Sequence, residues 1–294
     1  MEVKIYGVRG SVPTPGPSTV RYGGNTVNVG VTLADGTRLF LDAGTGIRQF
    51  GRDLLASGHR GPVHFLLSHR HYDHIIGLPF FEPIYRPDFE MIIYPVKGEM
   101  TERRKPRAEI FDGIHTPVRL DDLPSKRTYV PDTEEAWTIG SAPGSRIPLN
   151  HPGGAQGFRI DDGDGSSLVH LTDNELNPPG SRTTTPEQQA EFARGASLLI
   201  ADAQYLPEDL PAKSGWGHST VPEVLQLGRA ADVNSLLLFH HDPDRDDAAL
   251  DKIQEQATEF AEAELSRGPA LVAAEGMTFQ LGADSCSLVE DSDS

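Results

Sequence analysis

Cysteine is nearly absent from this chain, and positive charge is in short supply. The one thiol, Cys286, cannot form an intramolecular disulfide, and no cysteine cluster exists to hold zinc. Any metal must therefore rest on histidine and carboxylate. Lysine and arginine number 26 against 43 acidic residues, a formal charge of −17. That balance argues against broad nucleic-acid binding, which needs a basic face and draws its affinity from counterion release. A small anionic partner is easier to reconcile. One cluster, Arg103-Arg104-Lys105-Pro106-Arg107, runs against the global sign; it borders a substrate entrance, forms a subunit contact or, the favoured reading, is solvated surface. No stretch approaches the roughly 18 apolar residues of a membrane span, and no basic, apolar leader precedes the first strand-like segment at Val3 to Ile5. No membrane partner is expected, and a cytoplasmic location is the default.

What the chain has is histidine in one place. Of its 11 histidines, three fall in Ser68-His69-Arg70-His71-Tyr72-Asp73-His74. His69 and His71 are two apart, so a backbone leaving a strand can aim both at one ion. Asp73 and His74 then face a second. The apolar run Val63 to Leu67 reads as the strand ahead of this loop, and Ile75 to Phe81 as the start of a buried helix behind it. Imidazoles and carboxylates suit zinc, and carboxylates also admit manganese or iron, so ligand type does not fix the metal. Asp42, directly after another strand-like run, is a candidate to orient a metal-bound histidine; capping the turn at Gly44 is its alternative role.

Strand and helix patterns alternate along the chain without an internal repeat or a linker, which favours one mixed α/β domain over residues 1–283. Val27 to Thr32 and Thr37 to Leu41 flank Ala34-Asp35-Gly36, a hairpin signal. Further strands are expected at Glu90 to Tyr94, Gly157 to Ile160, Ser167 to Leu171, Ser197 to Ala201 and Ser235 to Phe239. Helical spacing begins at Ile47 and returns over Pro186 to Arg194, Val221 to Ala231 and Asp247 to Arg267, the last capped by Asp246 or Asp247 and stopped by Gly268. Residues 98–135, rich in charge and proline, carry no assignment. The last eleven, Asp284 to Ser294, read as a disordered acidic tail.

The His69 to His74 run resembles the signature of the metallo-β-lactamase-fold metallohydrolases, and the likeness covers nearly the whole chain. Gly7-Val8-Arg9-Gly10-Ser11, Tyr22-Gly23-Gly24-Asn25-Thr26 and Leu41-Asp42-Ala43-Gly44-Thr45-Gly46 are similar to the branch holding ribonuclease Z and the cyclic-phosphate and cyclic-nucleotide phosphodiesterases. The resemblance implies a four-layer αββα sandwich with two divalent ions at one edge. It makes His151, in Leu149-Asn150-His151-Pro152-Gly153-Gly154, the third ligand of the first ion, and Asp173, in Leu171-Thr172-Asp173-Asn174-Glu175, the bridge. His240, next after the strand in Leu238-Phe239-His240-His241-Asp242-Pro243, completes the second site, with His241 as the fallback. His218, in Gly215-Trp216-Gly217-His218-Ser219-Thr220, corresponds to a general acid and Asp202 to its orienting partner. Asn174 stands where threonine is frequent, and Val27-Asn28 replaces a pair that often contains cysteine; neither is a proposed ligand.

The expected activity is hydrolysis of small cyclic phosphodiesters, cyclic nucleotides foremost, by a hydroxide held between two ions, with His218 protonating the leaving oxygen. Zinc is the expected metal and a homodimer the usual assembly of this branch. Ribonuclease Z-like cleavage of RNA, thioester or lactone hydrolysis on the same ions, and a nucleotide-binding module without turnover are the alternatives.

Overall fold

The computed structural model describes residues 1–97 and 110–289. The Arg103 to Arg107 cluster lies outside these residues. In chain order the elements are β1 (Glu2–Gly7), β2 (Asn28–Thr32), β3 (Arg38–Leu41), α1 (Ile47–Ala56), β4 (Gly61–Leu66), β5 (Phe89–Tyr94), β6 (Lys126–Tyr129), β7 (Ala136–Ile139), β8 (Ala142–Leu149), β9 (Ala155–Asp161), β10 (Ser167–Leu171), α2 (Pro186–Phe192), β11 (Leu198–Asp202), α3 (Val221–Ala231), β12 (Leu236–Phe239), α4 (Asp247–Glu264), β13 (Ala270–Val272), β14 (Thr278–Gly282) and β15 (Ser285–Val289).

Period-two alternation sorts these strands into two sheets sharing a core. In β3, Leu39 and Leu41 face inward while Phe40 faces out; in β11, Leu198 and Ile200 face inward while Leu199 faces out. The inward residues meet Val3, Ile5, Phe158 and Phe239 between the sheets. Phe40 packs outside with Ile47, Phe50 and Leu54 of α1, and Leu199 packs on the opposite outer face with Leu225 of α3 and Leu250 and Ile253 of α4. The result is the expected helix, sheet, sheet, helix layering.

The first sheet runs β15-β14-β1-β2-β3-β4-β5-β6 and the second β13-β12-β11-β10-β9-β8-β7. Each changes partway from antiparallel to parallel pairing: β3 to β6 are parallel, as are β10 to β13. Ligands in open α/β sheets collect at the carboxyl ends of such strands. Here those ends carry Asp42 after β3, His69 after β4, Asp173 after β10, Asp202 at the end of β11 and His240 after β12.

Three sequence expectations need correction. Ile75 to Phe81 does not open a buried helix; the chain makes short 3-10 turns at Tyr72–His74, Leu78–Phe80 and Glu82–Tyr85. Pro79 and Pro83 have no N–H to continue a helix, and the Gly77 amide is spent on Ala43 O at 2.9 Å. Gly77 also lies so close to Gly44 O that a Cβ would sit 2.0 Å from it. The acidic end is not wholly without structure, because Ser285–Val289 pairs antiparallel to β14, with Cys286 opposite Leu281 and Leu288 opposite Phe279. Residues 290–294 lie outside the described ones. Finally, α4 ends at Glu264, and Gly268 serves a close approach, a Cβ there falling 1.9 Å from Asn234 O. The Asp246 side chain caps α4 by accepting from the Ala249 amide. Within the unassigned stretch, residues 126–129 form β6.

Candidate metal centre

Six side chains from three loops converge on the carboxylate of a seventh residue, Asp173. Asp173 is buried, and its two oxygens face two different groups. His69 Nε2 and His151 Nε2 lie 3.5 and 3.6 Å from Asp173 Oδ2, and His71 Nδ1 is 3.0 Å from His151 Nε2. On the other side, His74 Nε2 and His240 Nε2 each lie 3.0 Å from Asp173 Oδ1, and Asp73 Oδ2 is 3.3 Å from the first and 3.4 Å from the second. The sets His69, His71, His151, Asp173 and Asp73, His74, Asp173, His240 each bring four donor atoms within 4.8 Å of one another. Asp173 belongs to both.

The residues behind these rings fix which nitrogen faces inward. His74 Nδ1 donates to Asp42 Oδ2 at 2.9 Å, His240 Nδ1 to Gln204 Oε1 at 2.9 Å, and His151 Nδ1 to Gly217 O at 2.9 Å. His69 Nδ1 meets Ser68 Oγ at 3.1 Å, and that hydroxyl donates to Asp42 Oδ2 at 2.7 Å. Each ring with its proton on Nδ1 directs an Nε2 lone pair at the centre, the arrangement a metal ligand requires. Among the described residues, the buried Nε2 atoms of His69, His74 and His240 make no hydrogen bond. Buried polar atoms are normally satisfied, so three convergent orphans beside two carboxylates are what a cation-binding donor set looks like.

The crowded carboxylates and imidazoles also perturb one another strongly. Burial would raise the Asp73 and Asp173 carboxyls, yet neighbouring imidazoles hold both well below the usual carboxylate range. Burial drives His69 well below its ordinary value, whereas for His74 the burial effect is overcome by Asp173, Asp73 and Asp42. Imidazole nitrogens with carboxylate oxygens fit zinc, manganese or iron.

Beside this cluster stands the pair His218 and Asp202. His218 Nδ1 donates to Asp202 Oδ2 at 2.7 Å, and its ring is stacked 5.0 Å from His240 and edge-on 5.2 Å from His151. Burial alone would lower the His218 pKa, but the Asp202 charge and hydrogen bond lift it to about 9. Asp202 is itself held by the Asn174 and Gln204 amides, each at 3.0 Å. His241 turns away, its Nε2 donating to Ala273 O at 2.8 Å.

The structure thus gathers His69, His71, Asp73, His74, His151, Asp173, His240, Asp42, Asp202 and His218 at one edge of the sheets. Four supporting residues escaped sequence reasoning. Gln204 and Ser68 hold ligand-side imidazoles, Ser11 donates its amide to Asp73 Oδ2 at 2.8 Å, and Glu175 accepts from the Gly215 and Gly217 amides at 2.9 and 3.0 Å. Ser68, Gln204 and Glu175 lie within two residues of proposed site residues and Ser11 ends the Gly7 to Ser11 motif, but the side chain each one meets is set by the fold and not by its neighbours in sequence.

The family model described as the beta-lactamase superfamily domain matches residues 37–241. Ribonuclease Z of Haloferax volcanii is 25% identical over 286 residues, covering 82% of this chain and 84% of that protein. Among solved structures, the metallo-beta-lactamase fold protein YhfI from Bacillus subtilis superposes with a TM-score of 0.67 at 18% identity, covering 96% of this chain and 99% of that one. A diphosphatase of the PhnP family gives 0.66 at 19% identity, covering 96% and 98%. Layering, parallel strand ends and a donor cluster at the sheet edge agree with these likenesses: the chain belongs to the metallo-β-lactamase superfamily of metal-dependent hydrolases.

Proposed function

We propose that this protein is a dinuclear-metal phosphodiesterase acting on small cyclic phosphodiesters, cyclic nucleotides foremost. The observation that carries the reading is the His218–Asp202 pair, joined at 2.7 Å and stacked against a ring of the donor cluster. His69, His71 and His151 would hold one ion, Asp73, His74 and His240 the other, with Asp173 shared. Two divalent ions there supply a water of lowered pKa and a sink for charge on the substrate oxygens. The protein's own part is proton delivery. An alkoxide leaving group is a strong base, and His218, kept charged and aimed by Asp202, can protonate it, a contribution of roughly 10²- to 10⁴-fold. Thioester and lactone hydrolysis need such a pair less, because their leaving groups are easier to expel. The exposed edge of His71 leaves the first donor set open to substrate.

The ribonuclease Z relatives favour a second reading, cleavage of RNA. The charge of −17 weighs against it. A homodimer with zinc completes the proposal, checked by light scattering and metal analysis.

The test is turnover of 3′,5′- and 2′,3′-cyclic nucleotides beside RNA, a thioester, a lactone and a nitrophenyl phosphodiester, with metal-depleted protein and His218→Ala in parallel. The proposal expects cyclic-nucleotide hydrolysis that metal depletion abolishes and His218→Ala slows, while the nitrophenyl ester, with its good leaving group, is largely spared. Equal slowing of both esters removes the general-acid role. Thioester or lactone turnover without phosphodiester turnover overturns the function.

A further inference from the structure

A cavity of about 330 Å³ abuts His151 and extends away from the metal ligands, lined among others by Glu175, Pro179, Ser181, Thr183 and Gly215. Its chemistry is selective. Among the described residues no lysine or arginine lines it, and a carboxylate does, so a second phosphate or any other anion is disfavoured. The Glu175 oxygens each accept one backbone amide and retain lone pairs for further donors. Ser181 and Thr183 add hydroxyls that accept as well as donate.

The residue after Gly215 is Trp216, whose indole is 61% exposed. Tryptophan is highly buried on average, so an indole left in solvent on the residue that follows the cavity-lining Gly215 is available to a partner. It is not on a loose loop. The flanking Gly215 and Gly217 amides are clamped by the buried Glu175 carboxylate, and the Trp216 amide donates to Lys213 O at 3.2 Å. The ring is therefore displayed on a fixed backbone, which lowers the ordering cost of stacking a planar ligand on it.

We propose that this cavity and the Trp216 indole form a nucleobase subsite, selective for a neutral, amino-bearing base such as adenine or cytosine. His151 belongs to both the cavity and the donor cluster, so a base in the one and a phosphate at the other are within reach of a single ribose. The inference rests on the phosphodiesterase reading and extends it by naming what the phosphate carries. Stacking on an aromatic side chain strengthens binding roughly 5- to 150-fold per base.

Calorimetric titration of the metal-loaded protein with AMP and with ribose 5-phosphate tests this without requiring turnover. The two ligands share phosphate and sugar and differ in the base. AMP should bind at least about fivefold more tightly, and the preference should disappear in Trp216→Ala and in Ser181→Trp, which fills the cavity from an exposed position. Unaltered thermal unfolding of both variants controls for folding. Equal binding of AMP and ribose 5-phosphate overturns the subsite, as does an AMP preference that survives both variants. An AMP preference that both variants abolish, in a protein that hydrolyses no cyclic nucleotide, upholds the subsite and refutes the phosphodiesterase reading instead.

Discussion

Replacing Asp42 with asparagine should weaken one metal ion and spare the other. The Asp42 carboxylate accepts from the Ser68 amide at 2.8 Å, the Ser68 hydroxyl at 2.7 Å and His74 Nδ1 at 2.9 Å. An asparagine keeps the oxygen that serves the Ser68 amide and puts an NH₂ where Oδ2 stood. The Ser68 hydroxyl can rotate and accept, but His74 Nδ1 must give up its proton to accept from the amide. The proton then sits on Nε2, the atom that faces Asp73 and Asp173, and the lone pair there is lost. The same exchange of tautomer inactivates a serine protease whose buried aspartate is made asparagine. Changes to such supporting residues cost about 10- to 100-fold in metal affinity, or roughly 1.4 to 2.7 kcal/mol. Backbone strain does not confuse the test, because Asp42 has φ +56° and asparagine tolerates that conformation as well as aspartate does. Competition with a chromophoric chelator reads both affinities: one should fall by the stated factor and the other, built on His69, His71 and His151, should hold. Two unchanged affinities, or two that fall together, refute the reasoning.

Three further outcomes are expected. Chelation should lower the thermal unfolding midpoint and zinc should restore it, since ions that bind only the folded state contribute about 2.7 kcal/mol at a free concentration a hundredfold above Kd; an unmoved midpoint contradicts the donor cluster. Gly10→Ala would place a methyl 2.6 Å from the buried His240 ring and 2.9 Å from Gln204 Oε1, and displacement of such a group by about 1 Å costs on the order of 10²-fold in rate; full activity on the preferred substrate would show that His240 is free to shift. His64, buried with Nδ1 3.0 Å from the Tyr94 hydroxyl, has its pKa lowered by burial to about 4. Between that value and the ordinary pKa near 6.5 the unfolded chain takes up a proton that the folded chain refuses. Stability from this group is therefore full above pH 6.5, falls by about 3 kcal/mol on the way to pH 4 and levels off below. Urea unfolding at pH 7 and pH 4.5 should show a smaller pH difference in His64→Leu, and an equal difference in both proteins would mean that His64 is not the group responsible.

The parts of this protein legible in its sequence are those whose pattern is local. The short apolar run Leu39, Phe40 and Leu41, the Asp35-Gly36 turn and the apolar stripe Leu250, Ile253, Ala257 each declare their element within a few residues. The His69 to His74 spacing is likewise local and announces a metal. His151, Asp173 and His240 come together only because β8, β10 and β12 end at the same sheet edge, and nothing in their own neighbourhoods states that; a family likeness had to supply it. Where local reading failed, a distant contact had prevailed. Ile75 to Phe81 has helical apolar spacing, but the Gly77 amide is claimed by Ala43, more than thirty residues away in the chain. The terminal segment is polar by composition, yet β14 offers it an open edge and Leu281 and Phe279 as cross-strand neighbours. Gln204 and Ser68 were invisible for the same reason, since their significance lies in the imidazole each meets.

The backbone records how much the centre demands of the chain. Among the described residues, five other than glycine have positive φ: Ser11, Asp42, Asp173, Asp232 and His240. Asp232 ends α3 in the left-handed conformation common at helix C-caps. The other four all touch the donor cluster. Asp42, Asp173 and His240 each follow a strand that ends at the sheet edge, and Ser11 donates its amide to Asp73. A left-handed residue turns the chain abruptly out of the extended conformation, so the side chain points across the sheet edge instead of continuing the alternation. Glycine would make each turn at less cost, but it brings no carboxylate or imidazole. Outside glycine the conformation costs about 1 to 3 kcal/mol per residue, and asparagine, aspartate and histidine are the residues that bear it most readily. Three of the four are aspartate or histidine. Ser11 is the exception, and it bears the strain with no ligand atom of its own, only an amide aimed at Asp73 and a hydroxyl that meets the Gln204 side chain at 3.4 Å. Gln204 in turn holds His240. The strain at Ser11 thus belongs to the centre as well, because the residue ties together Asp73 and His240, two side chains of the same donor set from opposite sheets.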